Sequence, residues 1–380
     1  MRKGPSRIAV EPSGIDPTND PSEQPMARRS LIRAVLGAAV VGVLLVALAP
    51  PAQAAPALGL VPYRMDASNQ AGWWRPVDEY NGHLYVAYNA WGGPGPTNGG
   101  ATDTHTIYIA RRAPDGTWTR GCLQAADGSC VVYGDDIGHN QPSIAIDGDG
   151  YIHAFVSMHN HNWRYYRSTA PADVTTMVNR SSQMPDQGER YTYPNLAIGP
   201  GGDVYLIIRA FTGYPNTGQG RLYRWNNASN SWSRVAIFAS QTNFVVYPDD
   251  VASFNGEVHI AWEWAYGGAS GLRHFGSYLV YNPATGQFRN AAGTPVSVPV
   301  TTGSPVVYQP LGANEQLSCT QPSTCPGVQS AKFAIDQTTG RPVVAYRYRS
   351  NNGYPYRVWL AQWTGSSWQR QLVYGGNYDT

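Results

Sequence analysis

Charge is scarce in this sequence, and what there is balances. Asp, Glu, Lys and Arg supply 14% of the 380 residues, for a formal net charge of +2. Six basic and four acidic residues fall within the first 54, so of the totals of 27 and 25 the remainder keeps 21 of each. A neutral chain offers no basic stripe to nucleic acid and no polybasic patch to a membrane surface. Any anion it recognises must be met by a few placed arginines. Cysteine is scarce too: four residues, with no C-x-x-C spacing, which counts against a thiolate metal site. No stretch beyond residue 54 sustains a long helical period, which excludes a helix bundle.

The one long apolar run belongs to a leader. Residues 26–54, MARRSLIRAVLGAAVVGVLLVALAPPAQA, have a basic start, an apolar middle and an A-x-A end, the layout of a secretory signal peptide cleaved near Ala54. Arg28-Arg29 weakly resembles a twin-arginine signal, and an ordinary general-secretion signal fits at least as well. Residues 1–25 read as an over-extended start, with Met26 the initiator. The expectation is an exported, extracellular protein with one domain over 55–380. In that compartment the two short-range cysteine pairs, Cys122 with Cys130 and Cys319 with Cys325, read as loop-stapling disulfides.

What the chain has in abundance is Gly (41), Pro (29), Tyr (25) and Trp (12), a composition that suits β structure. Five segments align on a turn glycine: NGHLYVAYNAW from Asn81, DGYIHAFVSMH from Asp149, GGDVYLIIRAF from Gly201, NGEVHIAWEWA from Asn255 and TGRPVVAYRYR from Thr339. Each reads as a tight turn followed by an inner strand. Three are preceded by QPSIAIDGDG, YPNLAIGPGG and YPDDVASFNG, whose Pro142, Pro194 and Pro248 suit the first position of a strand. A second hairpin type places Trp118, Trp232, Phe288 and Trp368 just after a polar turn. Alternating inner and outer hairpins predict an all-β, single-domain β-propeller. At about 45 residues per blade the length predicts seven blades, of which five are visible as repeats.

Antiparallel hairpins return to where they began, so the residues ahead of each strand-opening proline should meet those seven to nine positions after each turn glycine. The first group is Gln141, Tyr193 and Tyr247, with His139 and Asn140 just ahead. The second is Asn89, Arg209, Glu263 and Arg347, then Trp91 and His159. Solvated strand ends are the plain alternative for any one of them taken singly. His153 and His259 lie mid-strand among apolar residues and read as inter-blade packing.

At GHNQPSIAIDGDGYIHAFVSMHN the chain resembles the BNR-type seven-bladed polysaccharide lyases, the group of ulvan lyases and L-rhamnose-α-1,4-D-glucuronate lyases. The ordered set carries the resemblance: an HN at His139, an MHN ending a twenty-residue step at His159, a Tyr-Pro at Tyr193, an arginine sixteen residues on at Arg209, and the later Tyr-Pro at Tyr247. It implies catalytic roles for His139, His159 and Tyr193, charge neutralisation by Arg209, and substrate contacts by Tyr247, with Asn140 and Arg347 as further binding candidates. The implied reaction is β-elimination at a glucuronate, with L-rhamnose on its O4, in a polymer such as ulvan or an arabinogalactan-type gum.

Those residue types suit that reaction. A guanidinium can hold a carboxylate through two parallel bonds, a neutral imidazole is a competent base near pH 7, and a phenol can protonate the leaving O4. Two flanking carboxylates, as a glycosidase needs, are not evident. A sialidase-like hydrolase, using Arg209, Arg347 and Tyr247, is one alternative. A propeller lectin is the other, although unlike residues at equivalent positions argue for one asymmetric site. No organic cofactor is implied; a structural divalent cation in the channel is compatible with the sequence, but no ligand motif identifies one. The expected partner is an acidic polysaccharide or oligosaccharide, bound by a monomer without nucleic acid or membrane.

Overall fold

The computed structural model describes residues 61–66, 69, 74–98, 101–134, 139–213, 217–267, 273–309, 326–350 and 355–375. The leader and the Cys319–Cys325 pair lie outside them. Within the described residues the protein is all-β. Among the described residues the helical content is two single 3-10 turns, Ser181–Gln183 and Pro200–Gly202, and no helix there is long and apolar enough to cross a membrane.

The strands form five antiparallel meanders in chain order. The first is Val77–Tyr80, His83–Asn98, Ala101–Arg112 and Trp118–Cys122, with Val132–Tyr133 also paired to its third strand. The second is Ser143–Ile146, Ile152–Phe155, Tyr165–Ser168 and Met177–Asn179. The third is Arg190–Ile198, Val204–Gly213, Thr217–Asn226 and Ser231–Ala239, with His159–His161 added beside its first strand. The fourth runs from Phe244–Phe254 through Glu257–Tyr266 and Arg273–Asn282 to Gln287–Arg289, with Val307–Gln309 also paired to Arg273–Asn282. The fifth is Gly327–Ile335, Pro342–Arg349, Arg357–Trp363 and Trp368–Tyr374. The third and fourth are joined by one parallel bridge, Gly218 to Val245.

The five repeated segments are the second strands of these five meanders, one place further out than the inner position expected of them. The proline-led segments are the first strands, and consecutive first strands adjoin. Polar bonds sew them together: Ser143 Oγ accepts from Arg75 N–H at 3.0 Å and donates to Pro194 O at 2.6 Å. Arg75 Nη1 reaches Leu196 O at 3.0 Å, and Phe333 N–H donates to Asp250 at 3.2 Å. In the middle sheets the second strands are buried on both faces: between Val204 and Ala210 only Arg209, at 2%, shows any exposure. Both faces of each middle sheet are covered by neighbours, so alternation cannot mark depth.

The core lies between consecutive sheets. Tyr85 and Ile107 of the first pack on Ile144 and Ala154 of the second, and Phe155 and Tyr165 on Leu206 and Tyr223 of the third. Tyr205 and Leu222 then meet Trp262 and Leu279 of the fourth, and Ala261 and Tyr278 meet Phe333 and Val344 of the fifth. Each large side chain enclosed this way stabilises by about 1.5–3 kcal/mol, and cutting Trp262 to Ala would cost about 3–5 kcal/mol. Cys122 and Cys130 are bonded, closing the loop beside the first sheet.

Candidate functional site

The site begins with what Tyr-Pro does to a strand. Proline brings no N–H to the ladder, so a strand carrying it inside a sheet tends to bulge there. In Arg190–Ile198 the register slips between Thr192 and Asn195, and in Phe244–Phe254 it slips between Pro248 and Asp250. At the first slip Tyr193 takes a φ of +59°. For a bulky aromatic this conformation is uncommon and costs about 1–3 kcal/mol, of the kind that persists where a side chain must be aimed.

Thr192, just before the bulge, is opposite Arg209 on one side and His159 on the other. The ladder itself therefore lines up guanidinium and imidazole across adjacent strands. Thr192 Oγ1 also accepts from Asn160 N–H at 2.8 Å, anchoring the short His159–His161 strand. His159 N–H donates to His161 Nδ1 at 3.1 Å, which makes that nitrogen the acceptor.

The side chains then converge. The imidazoles of His139 and His159 stack with centroids 4.2 Å apart and planes 14° from parallel. Each lies 6.1 Å from the Tyr193 ring, and Tyr193 lies 5.6 Å from Tyr247. The Arg209 guanidinium carbon stands 4.6 Å from both tyrosine ring centres and 4.5 Å from that of Phe211. Trp74 closes the floor, edge-on to Tyr193 at 5.5 Å. Gly218 makes room for the arginine, because a Cβ there would come within 2.9 Å of Val245 and 3.2 Å of Arg209 Cδ.

Burial separates two kinds of residue in this group. Arg209 is 2% exposed, and its Nε and Nη1 have no hydrogen-bond partner in the protein. A charged group is rarely so enclosed without a carboxylate. The side-chain amides of Asn140 and Asn195 are likewise buried without partners. The two histidines are half-buried, and beside His159 a cavity of about 480 Å³ is lined by Asn160, His161, Arg164 and Arg190. The arrangement can present a fixed positive charge, a phenol and two imidazoles to one ligand.

Among the sequence candidates, His139, His159, Tyr193, Arg209 and Tyr247 meet. Asn140 adjoins them, its backbone oxygen accepting from Asn89 Nδ2 at 3.2 Å. Arg347 is held in the fifth sheet, donating to Gln329 and standing 5.2 Å from the Tyr356 ring. Glu263 and Asp249, acids near the same rim, are fully buried. Trp74, Asn195 and Phe211 were missed. Phe211 carried a signal, since it occupies the place in its repeat that Trp91 and His159 occupy in theirs; Trp74 precedes the first strand and carried none.

His153 and His259 are packing residues. His153 Nε2 is 3.0 Å from Asp147 and its Nδ1 accepts from Tyr165 at 2.8 Å. His259 Nδ1 is hydrogen-bonded to Tyr278 Oη, and burial pushes its pKa down to about 4. No three His, Cys, Asp or Glu side chains among the described residues converge as a metal site.

Comparison with known proteins adds the fold. A family model described as a BNR repeat-containing family member matches residues 83–374. No curated protein matches the chain. Among solved structures it is similar to a PL25 ulvan lyase bound to -[GlcA(1-4)Rha3S]-, at 18% identity and a TM-score of 0.58 over 78% of this chain and 69% of that one. It is also similar to the polysaccharide lyase Uly1, at 13% identity and a TM-score of 0.56 over 79% and 72%. Likeness at these identities speaks for a shared fold.

Proposed function

The chain belongs to the BNR repeat-containing family, and on that premise we propose that it is a secreted β-propeller lyase that cleaves a uronate-containing polysaccharide by β-elimination. The observation that carries this reading is Arg209: a buried guanidinium with unused donors, between two tyrosine rings and next to stacked imidazoles. Among the described residues no carboxylate pairs with this charge, and a substrate carboxylate would complete it.

In the proposed reaction Arg209 holds the uronate carboxylate and neutralises the charge that builds there as C5 loses its proton. His139 takes that proton, the C5–H electron pair becomes the C4–C5 double bond, and the C4–O4 bond breaks. Tyr193 gives its phenolic proton to the departing O4, and His159 orients the substrate or shares the base role. In glucuronate H5 and O4 lie on one face, so base and acid belong in one cluster. The 6.1 Å separations of both imidazoles from Tyr193 accommodate the reverse assignment, with Tyr193 as base. Tyr247 and Asn140 contact the sugar, and L-rhamnose on O4 is the proposed leaving unit, as the ulvan lyases suggest. Hydrolysis is less well served, because a glycosidase needs two carboxylates flanking the bond and the residue set proposed for this reaction supplies none.

The test is incubation with purified glucuronate polysaccharides, algal and plant, read by near-ultraviolet absorbance of the conjugated product. His139→Ala and Arg209→Ala should abolish turnover in folded protein. A loss of only a few-fold in either variant refutes the assignment, hydrolysis without a double bond indicates the sialidase-like alternative, and binding without cleavage indicates a lectin.

A further inference from the structure

We propose that the cavity between Trp91 and Arg120 is a second sugar subsite, taking an acidic unit of the same polymer away from the bond cleaved. The proposal rests on the polysaccharide reading above and adds residues that reading does not use. The cavity, about 360 Å³, is lined by Pro62, Tyr63, Trp91, Tyr108 and Arg120 among others, with no acidic side chain in its wall.

Two features in it point to a ligand. Trp91 is 55% exposed, whereas most of the protein's large aromatics are packed between sheets. An indole left in solvent at the end of a strand offers a flat apolar face of the sort that sugar rings stack on. Arg120, in the same lining, is exposed but held: its guanidinium carbon stands 4.6 Å from the Tyr63 and Tyr108 ring centres, and Nη1 donates to Tyr88 Oη at 3.2 Å. It makes no ion pair among the described residues. A guanidinium fixed by rings and left without a counter-ion is pre-organised for a carboxylate or sulfate.

Connectivity puts this cavity beside the proposed catalytic group. Trp91 follows Asn89 by two residues at the end of one strand, their Cα atoms about 7 Å apart. Asn89 donates to the backbone oxygen of Asn140, the neighbour of His139. Directly across the ladder from Trp91 is His105, whose Nε2 is 3.1 Å from Ser157 Oγ, two residues before His159. A chain whose uronate sits on Arg209 would therefore pass a stacking face and a second cation within a few sugar units.

Binding tests this separately from catalysis. The full-length protein carrying Tyr193→Phe is titrated calorimetrically with [GlcA(1-4)Rha3S] oligosaccharides of one repeat and of three repeats. Adding Trp91→Ala or Arg120→Gln should weaken the longer ligand about tenfold and the shorter less than twofold. Trp91→Tyr should restore most of the affinity, which a loss through misfolding would not allow. Equal losses for both lengths, no loss for either, or no binding of either ligand by the parent protein overturns the subsite. If unmodified enzyme forms no conjugated product while the length-dependent loss persists, the lyase reading fails and the subsite stands.

Discussion

Replacing Arg209 with methionine separates what this residue does for the fold from what it does for the reaction. The side chain is 2% exposed and sits about 4.5 Å from three aromatic ring centres. Each desolvated cation–π contact contributes up to about 2 kcal/mol, so three give at most about 6 kcal/mol. Removing a guanidinium from water costs several kcal/mol even after relaxation, and its Nε and Nη1 recover nothing from protein hydrogen bonds. The two contributions nearly cancel. Methionine fills most of the same volume and carries no charge, so Arg209→Met should change stability by no more than about 1 kcal/mol, in either direction. Turnover should fall at least about a thousandfold, near 4 kcal/mol of transition-state stabilisation, because no other described cation stands between the two tyrosines. Urea unfolding measures the first quantity and initial rates of double-bond formation the second. Destabilisation above about 3 kcal/mol would make Arg209 a structural residue. More than about a tenth of the activity remaining would mean that the carboxylate is neutralised elsewhere.

Tyr193→Phe keeps the ring stacking and removes the proton donor, so the rate of product formation should fall about a hundredfold or more while the melting temperature holds; a near-normal rate would remove the phenol from proton transfer. His259 makes stability pH-dependent with a definite sign. Its folded pKa of about 4 lies below the ordinary 6.5, so between those values the unfolded chain binds a proton that the folded chain does not. Its contribution is intact above pH 6.5 and is lost as pH falls toward 4, to a limit of about 3 kcal/mol. His259→Asn, whose side-chain amide can keep a hydrogen bond to Tyr278, should flatten that part of the stability curve measured by denaturant titration. Replacing Cys122 and Cys130 with serine should cost about 2–3 kcal/mol on the chain-entropy account, given a sequence separation of 8; an unchanged unfolding midpoint would show that the loop is held by other contacts.

Local features were legible before any coordinates. Each turn glycine and the strand after it lie within about ten residues, and the Cys122–Cys130 bond spans 8, so short-range chemistry alone marks them. The ordering of His139, His159, Tyr193, Arg209 and Tyr247 was legible because each ends or opens a strand next to such a turn. The depth of the strands was not legible, since the middle sheets are covered on both faces and their second strands carry no alternation. Length divided by a typical blade gave seven, and five meanders form among the described residues.

The amino-acid sequence by itself determined an all-β chain of repeated hairpins, neutral overall, with its unusual polar residues at strand ends. Only the tertiary structure decided which of those ends meet. The slip at Tyr193-Pro194 sets that ring against Arg209, pairing with Thr192 holds His159 where its imidazole stacks on that of His139, and Trp74 and Phe211 adjoin the group. Arg347, equivalent in its repeat to Arg209, donates to Gln329 and stands beside Tyr356. The physical reason is one of range: turns and strands are set by neighbours along the chain, while the burial of a charge depends on side chains many residues away.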